Sequence, residues 1–230
     1  MSIHRSSSGT APMRAREVEV PPLGLAGTLT LPPAPRGVVL FAHGSGSSRF
    51  SRRNRLVAAA LQGRGFATLL FDLLLPEEEG DRAKVFDIAL LADRLGTAVH
   101  WATNDPDLAA LPIGLFGAST GAAAALVAAA RLGDRIAAVV SRGGRPDLAG
   151  AALDRVVSPT LLIVGGEDGV VVDLNAEAFA RLDRVKALEI VPGATHLFPE
   201  PGALEAVVEF AGDWFERHLV GARHRREAEP

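Results

Sequence analysis

Six runs of the chain are largely apolar: residues 38–42, 67–71, 113–116, 136–141, 160–164 and 187–191. Runs of that length, rich in Val, Ile, Leu and Phe and closed off by Gly, Pro or charged residues, predict strands buried on both faces. Between them lie stretches whose apolar residues recur every three or four positions, the spacing of one helix face: residues 51–62, 86–102, 121–131, 174–182 and 203–219. Residues 17–20 and 27–31 alternate polar and apolar positions and predict an antiparallel opening pair. Strands alternating with helices predict an α/β fold, a mostly parallel central sheet with helices on both faces. In such sheets chemistry gathers beyond the carboxyl ends of the strands. No insertion is long enough for a separate lid, and residues 73–85 and 147–156 are the candidate covers.

The strand ends carry reactive groups. Leu115-Phe116 runs into Gly117-Ala118-Ser119-Thr120-Gly121 and then into an alanine-rich helical stretch. A strand that turns sharply into a helix puts its corner residue in strained geometry, and glycines two positions either side let the neighbouring backbones pass. Ser119 would then project its hydroxyl above the sheet, at the positive end of the following helix. Downstream, the strand at 160–164 runs through Gly165-Gly166-Glu167 to Asp168, and the strand at 187–191 is followed by Pro192-Gly193-Ala194-Thr195-His196. Upstream, the strand at 38–42 opens into His43-Gly44-Ser45-Gly46, a flexible loop able to aim a backbone N–H at a developing oxyanion. The order Ser119, Asp168, His196 is that of the α/β-hydrolase triad. Over residues 16–219 the chain resembles the α/β-hydrolase superfamily, and within it the dienelactone-hydrolase-like branch. The dienelactone hydrolases of that branch use a cysteine nucleophile. This chain has no cysteine, so the resemblance implies architecture and triad placement, with serine as the attacking group.

The expected chemistry is cleavage of a small carboxylic ester, thioester or lactone. Ser119 attacks, His196 takes the proton, and Asp168 orients the imidazole. Backbone N–H groups of Ser45 and Thr120 are the expected oxyanion donors. Glu167, Asp147 and Asp173 are the other carboxylates to weigh. Asp173 opens a predicted helix and reads as its N-cap; Asp147 follows the preceding strand and stays open as an alternative acid. His43 is expected to hold its loop rather than react, and His4, His100, His218 and His224 lie in tails or on helices. Arg142 and Arg145, past the strand at 136–141, are candidate rim residues able to grip an anion, and Glu77-Glu78-Glu79 reads as a solvated loop face. Two other readings use the same fold: a ligand-binding protein with an idle triad, and an acyltransferase or C–C hydrolase.

Composition narrows this further. The chain of 230 residues suits a single domain, expected at residues 16–221 between tails at 1–15 and 222–230, and Met13 is an alternative start. A net charge of −3 and a pI near 6.1 give no reason to expect nucleic acid or a membrane as partner. The absence of cysteine removes disulfides and thiolate metal sites, and the absence of tyrosine removes phenolic acids and bases. No metal or organic cofactor is implied, and the partner expected is a small-molecule ester. The first residues lack the apolar core of a secretory signal, so a cytoplasmic location is the expectation. Oligomeric state is not legible.

Overall fold

The computed structural model of the chain describes residues 12–220. Its eight strands are β1 (Arg14–Val20), β2 (Leu25–Leu31), β3 (Val38–Ala42), β4 (Ala67–Phe71), β5 (Ile113–Ala118), β6 (Ile136–Arg142), β7 (Thr160–Gly165) and β8 (Lys186–Val191). They form one sheet in the order β1-β2-β4-β3-β5-β6-β7-β8. β1–β2 and β2–β4 pair antiparallel and the remaining neighbours pair parallel. The helices are α1 (Arg52–Gly63), the single turn α2 (Arg82–Val85), α3 (Ile88–Asn104), α4 (Thr120–Leu132), α5 (Gly169–Arg181) and α6 (Ala203–Phe215). This is the mostly parallel, two-sided α/β sheet that the apolar pattern predicts.

Two buried clusters cover the faces. One joins the sheet to α3 and α4 through residues such as Leu40, Leu69, Leu95 and Ala125. The other joins it to α1 and α6 through Phe41, Val57, Phe116 and Phe215. Alanines dominate the buried side of α4, which lets that helix approach the sheet closely. The chain leaves β3 towards β4 and returns to pair β5 on the other side of β3. A switch of direction at this point opens a crevice between the loops that follow β3 and β5.

The boundaries differ from expectation in places with identifiable causes. β1 starts at Arg14, inside the stretch expected as tail, because the ladder continues to Arg14 opposite Leu31. Arg14 and Arg16 also reach Asp107 and Asp105. Residues 1–11 and 221–230, which include most of the expected N-terminal tail and all of the expected C-terminal one, lie outside the described residues. α5 starts at Gly169, so Asp173 lies inside the helix and is not its cap. The β-branched Val170-Val171-Val172 lowers the local helix signal. Burial of Val171 and Asn175, whose amide donates to Gly144 O and Val171 O, overrides it. α3 begins at Ile88 because the Asp87 carboxylate accepts the Leu90 N–H at 3.0 Å.

The acidic loop is also different. Glu77 and Glu79 are exposed, but Glu78 is buried. Its carboxylate accepts from Arg94 Nη1 at 2.5 Å and Nη2 at 2.9 Å, from Lys84 Nζ at 2.9 Å and from Leu75 N–H at 2.9 Å. Arg94, on α3, also donates to Leu73 O. This clamp fixes the covering segment to the body of the fold. The Arg94 hydrogen bonds are the main reason that the Glu78 carboxyl titrates at about 2, against an ordinary 4.5. A carboxyl lowered by folding contributes stability that is full above its unfolded value and is lost as pH falls from there through the folded value. Glu78→Gln should therefore lower unfolding free energy at neutral pH by about 3 kcal/mol, since it leaves Arg94 buried and poorly matched. The gap between variant and wild type should narrow below pH 4.5. Urea titrations across that range check both statements.

Candidate active site

Ser119 stands between β5 and α4 at φ 51° and ψ −121°, a backbone region that non-glycine residues avoid. Such a conformation costs about 1–3 kcal/mol and persists only where its surroundings impose it. Here the Ser119 N–H donates to Arg142 O at 3.3 Å, and its carbonyl accepts from Ala122 N–H and Arg145 N–H at 3.1 Å each. The flanking glycines are needed for close approach. A Cβ on Gly117 would collide with Ala122 Cα, and one on Gly121 with the carbonyls of Ala42 and His43. The elbow therefore seats α4 directly against the loop after β3. A Cβ on Gly44 in that loop would lie 3.0 Å from Ser119 Cβ, so the two strand ends touch at the nucleophile position.

Asp168 occupies the N-cap position of α5, yet its side chain caps nothing. Its Oδ2 instead lies 2.6 Å from His196 Nδ1. The loops that carry the two residues are tied together by Glu167 N–H donating to Ala194 O at 2.9 Å. With Nδ1–H given to the carboxylate, Nε2 is the ring nitrogen left to exchange protons. The His196 backbone packs on the loop after β6, where a Cβ on Gly143 would meet His196 O at 2.9 Å. Gly143 directly follows Arg142, whose carbonyl holds Ser119. Asp168 and His196 thus pair through their side chains, and Ser119 follows β5 at the same, carboxyl end of the sheet. Asp147 does not join them: its carboxylate takes two hydrogen bonds from Arg145, at 2.8 Å each. Glu167 is exposed and Asp173 lies on α5, away from that hydrogen bond. His100 is an exposed residue of α3, His218 packs on Trp214, and His4 and His224 lie outside the described residues.

His43 is buried and holds the loop after β3. Its Nε2 accepts the Leu73 N–H at 3.0 Å, so Nδ1 carries the proton and donates to Gly44 O at 3.1 Å. Burial pushes its pKa down, which keeps the neutral form that this tautomer needs. Through Leu73 it also ties the loop to the covering segment. Together they enclose a cavity of about 250 Å³ lined by His43 to Ser48, Leu73, Leu74, Glu79, Val85 and Leu91.

The expected oxyanion donors differ in availability. Thr120 opens α4, so its N–H has no intrahelical acceptor. Ser45 N–H is not free, because it donates to Thr120 Oγ1 at 2.9 Å. The Thr120 hydroxyl, placed by the elbow against the glycine loop, takes a part that the strand-end pattern does not reveal.

Neither candidate rim arginine is a free surface cation. Arg145 is neutralised by Asp147, which also raises its pKa. Arg142 is 4% exposed and sits beneath the loops, with Nη2 3.3 Å from Asn54 Oδ1 and its guanidinium carbon 5.8 Å from the centre of the Phe198 ring. Its side chain points towards α1 rather than outward, a direction that spacing along a strand end does not fix. Among the described residues, no group of three or more His, Asp or Glu is placed to hold a metal ion, and no helix is long and apolar enough to cross a membrane.

Comparison with known proteins agrees with this architecture. A crystal structure of dienelactone hydrolase from Anabaena variabilis ATCC 29413 is 53% identical, covers 91% of this chain and 99% of its own, and superposes with a TM-score of 0.87. Est1E from Butyrivibrio proteoclasticus, 18% identical with 88% and 98% of the two chains covered, shares the fold at a TM-score of 0.75. A Mycobacterium tuberculosis (strain ATCC 25618 / H37Rv) protein named "Putative phosphoribosyl transferase" is 62% identical over 212 residues, which are 91% of this chain and 48% of that protein. The chain spans about half the length of the curated relatives it matches. The model of the dienelactone hydrolase family matches residues 25–219. With the sheet, the elbow and the Asp168–His196 pair in place, the chain belongs to the dienelactone hydrolase family, as an α/β hydrolase with serine at the elbow.

Proposed function

We propose that the protein is a serine hydrolase that cleaves a small carboxylic ester, thioester or lactone through an acyl-enzyme on Ser119. The observation that carries this reading is the 2.6 Å Asp168–His196 hydrogen bond, together with a serine held in elbow geometry after β5. His196 Nε2 takes the Ser119 proton as Oγ attacks the carbonyl carbon, and Asp168 stabilises the imidazolium that forms. The tetrahedral oxyanion is held by Thr120 N–H at the positive end of α4. Ser45 N–H joins it when the Thr120 hydroxyl releases that group, since hydrogen bonds of an empty site commonly rearrange on substrate binding. His196 then protonates the leaving oxygen or sulfur, and water repeats the sequence to free Ser119. The reaction needs no cofactor, and the cytoplasm is its proposed setting. The transferase name belongs to relatives about twice as long, of which this chain matches 48%; an acyl acceptor other than water, a C–C substrate or an idle triad stand as the alternatives.

The 250 Å³ cavity beside the glycine loop has Leu73, Leu74, Val85 and Leu91 as apolar walls and Glu79 among its lining residues. Each buried CH₂ gains about 0.8 kcal/mol, but only while wall remains to cover it. Across p-nitrophenyl esters from acetate to palmitate, measured below their micellar limits, kcat/KM should peak at acyl chains of roughly two to six carbons and then fall. A value that climbs to the longest chain would contradict the small-ester reading.

A further inference from the structure

The Gly44–Ser45 peptide carries one of the N–H groups expected to meet the oxyanion, and it is held at both polar ends. Its carbonyl accepts His43 Nδ1–H at 3.1 Å and Ser47 N–H at 3.2 Å. Its N–H donates to Thr120 Oγ1 at 2.9 Å. In a trans peptide the C=O and N–H point opposite ways, so bonds at both ends fix how the plane is turned. Gly44 and Gly46, with φ 67° at Gly46, would otherwise leave that plane easy to turn. Ser45 is exposed, so water competes for its N–H.

The Thr120 hydroxyl has no other hydrogen bond among the described residues. Thr120 is 4% exposed and opens α4 directly after the nucleophile. The N-cap position belongs to Ser119, and the residue four before Thr120 is Phe116 in β5, so no carbonyl of its own helix is there for the hydroxyl to bond. A valine would fill the same space, and a buried hydroxyl costs free energy unless it finds a partner. The partner here is Ser45 N–H, 75 residues away in sequence. The opposite hold, His43, is also buried and accepts the N–H of Leu73, a residue in the wall of the cavity of about 250 Å³. As an acceptor, a neutral hydroxyl resembles the carbonyl oxygen of a bound ester, whereas an oxyanion takes hydrogen bonds roughly twice as strong. Ser45 N–H therefore stays with Thr120 until negative charge develops, and the exchange favours the transition state over bound substrate.

We propose that Thr120 is a positioning residue of the oxyanion site, whose hydroxyl keeps Ser45 N–H turned towards the nucleophile and hands it to the oxyanion as the charge forms. His43 and Ser47 brace the other end of the same peptide. The hydroxyl is neither acid, base nor nucleophile in this scheme; it acts through the N–H that it holds. The effect on turnover rests on the Ser119 hydrolase reading, whereas the hold on Ser45 N–H does not.

Thr120→Val keeps the shape of the side chain and removes the acceptor. Its kcat on p-nitrophenyl butyrate should fall about 10- to 100-fold with KM not raised, less than the loss of about 10²–10³ for deleting an oxyanion donor outright. Thr120→Ser, which restores a hydroxyl, should return kcat to within about threefold of wild type. Affinity for a trifluoromethyl ketone, whose adduct with Ser119 carries an oxyanion, should fall in Thr120→Val by a factor similar to that in kcat. Thr120→Ala also lacks the acceptor and carries the same expectations should the valine variant not fold. In ¹⁵N-labelled protein, the Ser45 amide should exchange with solvent at least about fivefold faster in Thr120→Val than in wild type, a readout independent of turnover. A kcat in Thr120→Val within about twofold of wild type, or above it, overturns the positioning role and leaves the hydrolase standing. So does a Thr120→Ser enzyme as slow as Thr120→Val. A folded wild-type protein that hydrolyses no ester would sink the hydrolase reading instead. Ser45 exchange then decides the hold alone: faster exchange in Thr120→Val sustains it, and unchanged exchange ends it.

Discussion

Ser119→Ala should fold like the parent and lose about 10⁶ in kcat on any ester that the parent hydrolyses, the loss typical of removing a triad nucleophile. The elbow is held through the Ser119 backbone, by Arg142 O, Arg145 N–H and Ala122 N–H, and the glycines on either side make room for it. None of those contacts uses the hydroxyl. The substitution thus deletes the attacking atom and leaves the oxyanion donor, the imidazole and the pocket in place. Steady-state kinetics on purified variant, with a thermal melt to show an unchanged fold, measures the loss. Activity within about tenfold of wild type would place the nucleophile elsewhere.

Asp168→Asn carries the second large effect, a fall of about 10⁴ in kcat with little change in structure. An asparagine in that place can present an N–H to Nδ1, which selects the tautomer with its proton on Nε2 and removes the base from the side that must accept the Ser119 proton. Asp147→Asn is the matched control. Its partner is Arg145, on a half-exposed turn, so the substitution weakens a solvent-screened pair and should leave kcat within a few-fold of wild type. The reverse ranking of the two variants would assign the acid to Asp147.

The contrast between those aspartates shows how much of the site is legible without coordinates. Ser119, Asp168 and His196 each follow an apolar strand, and a strand end is an address that a one-dimensional pattern can give. β3 and β4 lie where their apolar runs do, β3 between Gly37 and His43 and β4 closed by Asp72. Side-chain direction is another matter. Glu78 sits in a run of three glutamates, and only the position of Arg94, sixteen residues on, decides that the middle one turns inward. Thr120 reaches the loop after β3 across 75 residues of sequence to take the Ser45 N–H. Arg142 and Arg145, three positions apart, part company because Asp147 is within reach of one and Asn54 of the other. α5 extends back to Gly169 through three valines because Val171 and Asn175 are buried there, a tertiary contact that outweighs local propensity. In each case the deciding partner is on another element, or depends on a fold that must first bring the two together.

The central claim is that Ser119 is a nucleophile activated by His196, and a fluorophosphonate reports on that state directly, because it reacts at the hydroxyl and not with an idle serine. Intact-mass and peptide-mapping measurements on wild-type protein after brief exposure should show one adduct, on Ser119, absent from Ser119→Ala and formed far more slowly in Asp168→Asn. A folded wild-type protein that stays unlabelled, or whose adduct maps to another residue, would contradict the account.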